Sequence, residues 1–81
     1  MIENILNAAK TGNVLISYVS LNSGRIIRDV FTLKGVNVHQ NPGNDKIVML
    51  KVSTNTYEDI EKNTIESWIN LANTGPQLNG E

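Results

Sequence analysis

Residues 14–33 hold the pattern that most constrains what this chain can form. Residues 14–21 are rich in Val, Leu, Ile and Tyr without helical spacing, and Asn22-Ser23-Gly24 supplies turn chemistry. Residues 25–33 then alternate, with Ile27, Phe31 and Leu33 on one side together with Asp29, and Arg28, Val30 and Thr32 on the other. Two such runs around a Gly-containing turn predict an antiparallel β-hairpin.

Ahead of the hairpin, Ile2, Ile5, Leu6 and Ala9 recur at helical spacing. Thr11-Gly12 ends that helix, with Gly12 expected as a left-handed cap. A helix this short does not persist in water alone, so its apolar face must pack on something. After the hairpin, residues 35–39 read as a continuing strand of period two beyond a bend at Gly35. Residues 40–45, with Pro42 and Gly43 in tandem, form the strongest break in the chain. Residues 46–52 predict another strand, apolar on both faces and therefore central or shared between packed sheets. Residues 54–73 fit two descriptions. Tyr57, Ile60, Thr64, Trp68 and Leu71 follow helical spacing, which the pattern slightly favours. Ile65, Ser67, Ile69 and Leu71 also alternate, with Glu61-Lys62-Asn63 as a hairpin tip.

The expected architecture is α+β: a short N-terminal helix and a four- or five-stranded antiparallel sheet curled toward a small barrel. Segment 54–73 is either a helix or the last strand. Residues 1–76 form a single domain and residues 77–81 a loose C-terminal tail. The predicted core is Ile5, Leu6, Val14, Ile16, Ile27, Phe31, Leu33, Val48, Leu50, Val52, Ile65, Trp68 and Ile69. With 81 residues the interior is small, and with no cysteine there is no disulfide to reinforce it. No apolar run approaches the ~20 residues that span a bilayer, and no export signal begins the chain, so a cytoplasmic protein is expected.

Absent cysteine also excludes thiolate metal sites and cysteine nucleophiles. His39 is the single imidazole, so neither a histidine metal site nor a Ser-His pairing is marked by spacing. Glu58, Asp59, Glu61 and Glu66 lie in a polar stretch where carboxylates keep ordinary acidity and make poor catalysts. No catalytic residue, metal or cofactor is therefore expected, and the chain reads as a binding protein rather than an enzyme.

Charge is divided along the chain. Residues 1–57 carry six basic and three acidic side chains, and residues 58–81 carry one and five. Arg25 and Arg28 follow the hairpin turn, and the planar guanidinium suits phosphate or carboxylate. With Lys34 and His39 they are the candidate anion-binding residues. Arg25, Arg28, Lys34, Lys46 and Lys51 would form a basic nucleic-acid face if their strands neighbour one another. The helix face of Ile2, Ile5, Leu6 and Ala9 is the candidate interface for a homo-oligomer, a dimer or higher, because self-association stabilises a domain with so little interior.

Lys10-Thr11-Gly12, Val14-x-Ile16-x-Tyr18, Ser23-Gly24-x-x-x-Arg28 and Thr32-Leu33 resemble a group of small tailed-phage proteins. Those enter a β-hairpin after a Lys/Glu-Gly step, with Gly at the tip and Arg shortly after. Asp59-Ile60-Glu61-Lys62 and Ser67-Trp68 are similar to their later turn and strand, although the chain after Asp59 is shorter and lacks their Arg residues. The resemblance implies a five-stranded barrel of the Src-homology type. It also implies a binding or host-modulating role in a bacterial host, engaging a host protein or sequestering an anionic signal molecule. Nucleic-acid binding through the basic face is the alternative.

Overall fold

The computed structural model describes residues 1–71. Helix α1 (Ile2–Thr11) leads into strands β1 (Asn13–Val19), β2 (Ile26–Thr32), β3 (Lys46–Lys51), β4 (Thr56–Glu61) and β5 (Ile65–Asn70), with a 3-10 turn (Lys62–Thr64) before β5. The five strands form one antiparallel sheet in the order β4-β3-β2-β1-β5. The predicted hairpin is its centre: β1 and β2 pair without interruption from Asn13↔Thr32 to Val19↔Ile26. Its turn is closed by Ser20 N donating to Arg25 O at 2.9 Å and Gly24 N to Ser20 O at 2.8 Å. Gly24 there adopts φ +72°, a conformation that costs glycine little.

Strands β4 and β5 lie at opposite edges of the sheet, yet only the three-residue 3-10 turn joins them. That short link forces the sheet to curl. Among the described residues no ladder connects β4 to β5, so the curl stops short of a closed barrel. The helical alternative for residues 54–73 is thereby overturned. Each half finds a backbone partner, β4 along β3 and β5 along β1, and that pairing overrides the helical spacing of Tyr57, Ile60 and Trp68. Nor is Glu61-Lys62-Asn63 a hairpin tip, since the strands beside it do not pair. A bulge leaves Glu66 without a partner on β1, where the register passes from Ser17↔Ser67 to Tyr18↔Ile65. Positions 72 and 73 and the expected tail at 77–81 lie outside the described residues.

Side chains on the concave side build the core: Val14, Ile16, Phe31, Leu33, Ile47, Met49, Ile60 and Ile65, closed by Ile5 and Ala9 of α1. On β3 the expected face is reversed. Ile47 and Met49 are buried, whereas Val48 and Leu50 turn outward and Val52, just past the strand, is exposed. Ile69 is likewise exposed, and Leu6, Ile27 and Trp68 are half-buried. At the end of α1, Gly12 has φ −178°, extended rather than left-handed. The last helical carbonyls are satisfied from β2 and its continuation instead. Leu33 N donates to Ala9 O at 3.0 Å and Thr32 Oγ1 to Gly12 O at 2.8 Å.

Residues 35–39 do not continue β2. The chain turns at Lys34-Gly35, where Val36 N donates to Leu33 O at 3.1 Å and Gly35 takes φ +71°. The β2–β3 ladder is consequently short: Phe31↔Lys51 and Thr32↔Leu50, extended by Val52 N donating to Val30 O at 3.0 Å. The next bonded step would set position 34 against Val48. There the Gln40 side chain replaces the missing strand: its Nε2 donates to Val48 O at 2.6 Å, and its Oε1 accepts from Val48 N at 3.0 Å.

Candidate functional site

The residues that sequence singled out do not gather. Arg25 lies in the exposed β1–β2 turn, Arg28 is exposed on the outward side of β2 opposite Ser17, Lys34 sits in the turn after β2, and His39 is exposed in the following loop. The five basic residues of the proposed nucleic-acid face form no stripe. Lys46 and Lys51 stand at the two ends of β3, and both border a hollow that also holds the carboxylates Glu58, Asp59 and Glu61. Each also meets a carboxylate, Lys46 Nζ being 3.7 Å from Glu61 Oε1 and Lys51 Nζ 3.6 Å from Asp29 Oδ2. On the helix, Ile5 and Ala9 are fully buried against the chain's own sheet. They are unavailable as an oligomer interface, and only Ile2 and Leu6 of that set retain exposure.

Two concavities flank the core. The first, about 360 Å³, opens beyond the end of the concave face that α1 leaves uncovered. Tyr18, Ile27, Lys51 and Glu58 line it, with Asp29 beside Lys51. The Tyr18 ring packs on Phe31 with centroids 6.1 Å apart. Burial raises the Tyr18 hydroxyl above the ordinary tyrosine pKa of 10.0; Lys51 opposes the shift, and Glu58 and Asp29 add to it. The sign for stability follows from this. The unfolded chain releases this proton more readily, so the contribution is whole below pH 10 and is lost as pH rises through the folded-state pKa. Urea titrations above pH 10 should therefore show wild type losing stability more steeply than Tyr18→Phe. Equal slopes would refute the assignment.

The second concavity is larger, about 590 Å³, and lies between α1 and the chain around residues 40–47. Ile2, Leu6 and buried Ile47 supply apolar surface, and Lys10, Lys46 and Lys62 supply ammonium groups, with Glu3 the one carboxylate. Ile2, Leu6 and Lys10 are spaced four apart, which sets them along one helix face. The opposite wall includes Gln40, Asn41 and Pro42, and Lys62 Nζ donates to Pro42 O at 3.4 Å. Sequence reading passed over Lys10 and Lys62. The Leu6–Lys10 spacing was visible, but Lys62 reaches the groove only through the curl of the sheet.

Among the described residues, no group of three His, Cys, Asp or Glu is placed to hold a metal ion. No described helix is long and apolar enough to cross a membrane. Comparison with protein-family models, curated proteins and solved structures found no match.

Proposed function

We propose that this chain acts by binding rather than catalysis, and that its ligand is an anion with an apolar body, held in the groove between α1 and residues 40–47. The observation that carries the reading is the composition of that groove: an apolar base of Ile2, Leu6 and Ile47 beside Lys10 and Lys62, with Lys46 at its rim already paired to Glu61. Its volume of about 590 Å³ suits a single small ligand rather than a long peptide. Apolar surface supplies affinity, and the ammonium groups select the sign of charge. Together with the hairpin's resemblance to small tailed-phage proteins, this supports a role in which the protein sequesters an anionic signal molecule of a bacterial host. Nucleic-acid binding draws little support from basic residues scattered over turns and strands and ion-paired at Lys46 and Lys51.

Dodecanoate, below its micellar concentration, is the probe. Titrating it into isotope-labelled protein should move the signals of Ile2, Leu6 and Ile47. The Lys10→Glu/Lys62→Glu variant should bind about tenfold more weakly, equivalent to about 1.4 kcal/mol. Equal binding of dodecylammonium, or shifts confined to other parts of the sheet, would overturn the reading.

A further inference from the structure

We propose that the outward face of the sheet is a self-association surface, on which two copies of this chain pack sheet against sheet. Register places its apolar residues in adjoining rows. Ile69 lies opposite Leu15, Leu15 opposite Val30, and Val30 accepts a backbone bond from Val52. In the next row Leu50 lies opposite Tyr57, beside Thr32, which is buried with its hydroxyl bonded to Gly12 O. The two rows together reach all five strands. Tyr57, Ile69 and Val52 are 61%, 45% and 43% exposed; α1 packs Ile5 and Ala9 into the concave core, and its end reaches this side at Thr32, whose hydroxyl bonds Ala9 O and Gly12 O. Single exposed apolar residues are ordinary; contiguous rows of them mark an interaction surface.

Charge on either side of the rows selects a second copy as the occupant. Arg28 flanks them on one side, two residues along β2 from Val30, and Asp59 flanks them on the other, two residues along β4 from Tyr57. Both are exposed, and neither has an ion-pair partner among the described residues. A two-fold axis crossing the rows obliquely, at right angles to the line from Arg28 to Asp59, sets the Arg28 of each copy against the Asp59 of the other. One sequence thus supplies both halves of a complementary, isologous contact.

Sedimentation over a concentration series tests this. Wild type should rise from the monomer mass of 8.9 kDa toward twice that value. Ile69→Lys and Tyr57→Glu, both at exposed sites and both checked for folding by circular dichroism, should remain monomeric. Arg28→Asp should weaken association at least about tenfold through like-charge contact, and the Arg28→Asp/Asp59→Arg exchange should restore it. The Lys10→Glu/Lys62→Glu groove variant should dimerise like wild type, so this surface and the ligand groove stand or fall separately. A wild type that stays monomeric at every concentration overturns the proposal. So does a dimer indifferent to Ile69→Lys and Tyr57→Glu, or one that the charge exchange does not restore.

Discussion

Met49→Asp should abolish folding, whereas Val52→Asp, three positions later, should leave the chain folded with a loss of about 0.5 kcal/mol or less. Met49 is fully buried on the concave side of β3, among Ile47, Ile60 and the rest of the core. The cation on the same face of the strand, Lys51, is already held by Asp29, and Glu58 lies directly opposite, so a carboxylate there must be dehydrated or protonated, at a cost exceeding about 4 kcal/mol. A domain of 81 residues has a total stability of only about 4–12 kcal/mol, so one such change consumes most of it. Val52 is 43% exposed and keeps its backbone bond to Val30 whatever its side chain. Circular dichroism and urea unfolding of the two variants decide which face of this segment is inside. A folded Met49→Asp variant beside an unfolded Val52→Asp variant would reverse the assignment.

Phe31→Ala carries the second largest effect. Phe31 is fully buried, lies between Val14 and Lys51 in the ladder, and packs against the ring of Tyr18. Removing the ring forfeits its transfer energy and leaves a cavity that surrounding strands cannot readily close, costing about 3–5 kcal/mol. In a domain this size the thermal midpoint should fall by at least roughly 12 °C. Tyr57→Ala, at an exposed site on β4, should change the midpoint by only a small fraction of that. A Phe31→Ala loss below about 1 kcal/mol in urea would mean that the core is centred elsewhere.

The central hairpin was legible because two independent properties agree there: alternation along residues 25–33 and turn chemistry at Asn22-Ser23-Gly24. On β3 they do not agree. Ile47, Val48, Met49 and Leu50 are consecutive apolar residues, so period two has no polar member to reveal the face. The choice is made by Ile60 opposite Ile47 and Phe31 opposite Lys51, neither of which is local in sequence. Residues 56–70 were ambiguous for a related reason. Helical spacing through Ile60 and Trp68 competes there with alternation through Ile65 and Ile69, and only the edges offered by β3 and β1 settle the matter. The end of the second hairpin strand was misread because Val36 and Val38 keep an alternating pattern after Gly35 has already turned the chain; both pack against the core from a loop. As for the groove, one wall was readable in the Leu6–Lys10 spacing, while Ile47 and Lys62 arrive there through tertiary structure.

Gln40 gives the short β2–β3 ladder a mechanical meaning. One half of the sheet is the triplet β5-β1-β2, and the other is the hairpin β3-β4, knit from Lys46↔Glu61 to Lys51↔Thr56. Backbone joins the halves over a few residues, and beyond them a single carboxamide acts as a rivet through both bonding groups of Val48. A rivet fixes a point without dictating the path that leads to it. The loop between Gly35 and Gln40 can therefore vary at its exposed positions, Asn37 and His39, without shifting the register of either half, provided Val36 and Val38 keep their core contacts and one amide still reaches Val48. The same economy makes this seam the natural parting line of the molecule: a fluctuation that releases the rivet, the short ladder and the core contacts of Ile47, Met49 and Ile60 frees the β3-β4 hairpin as a unit, with its own ladder intact.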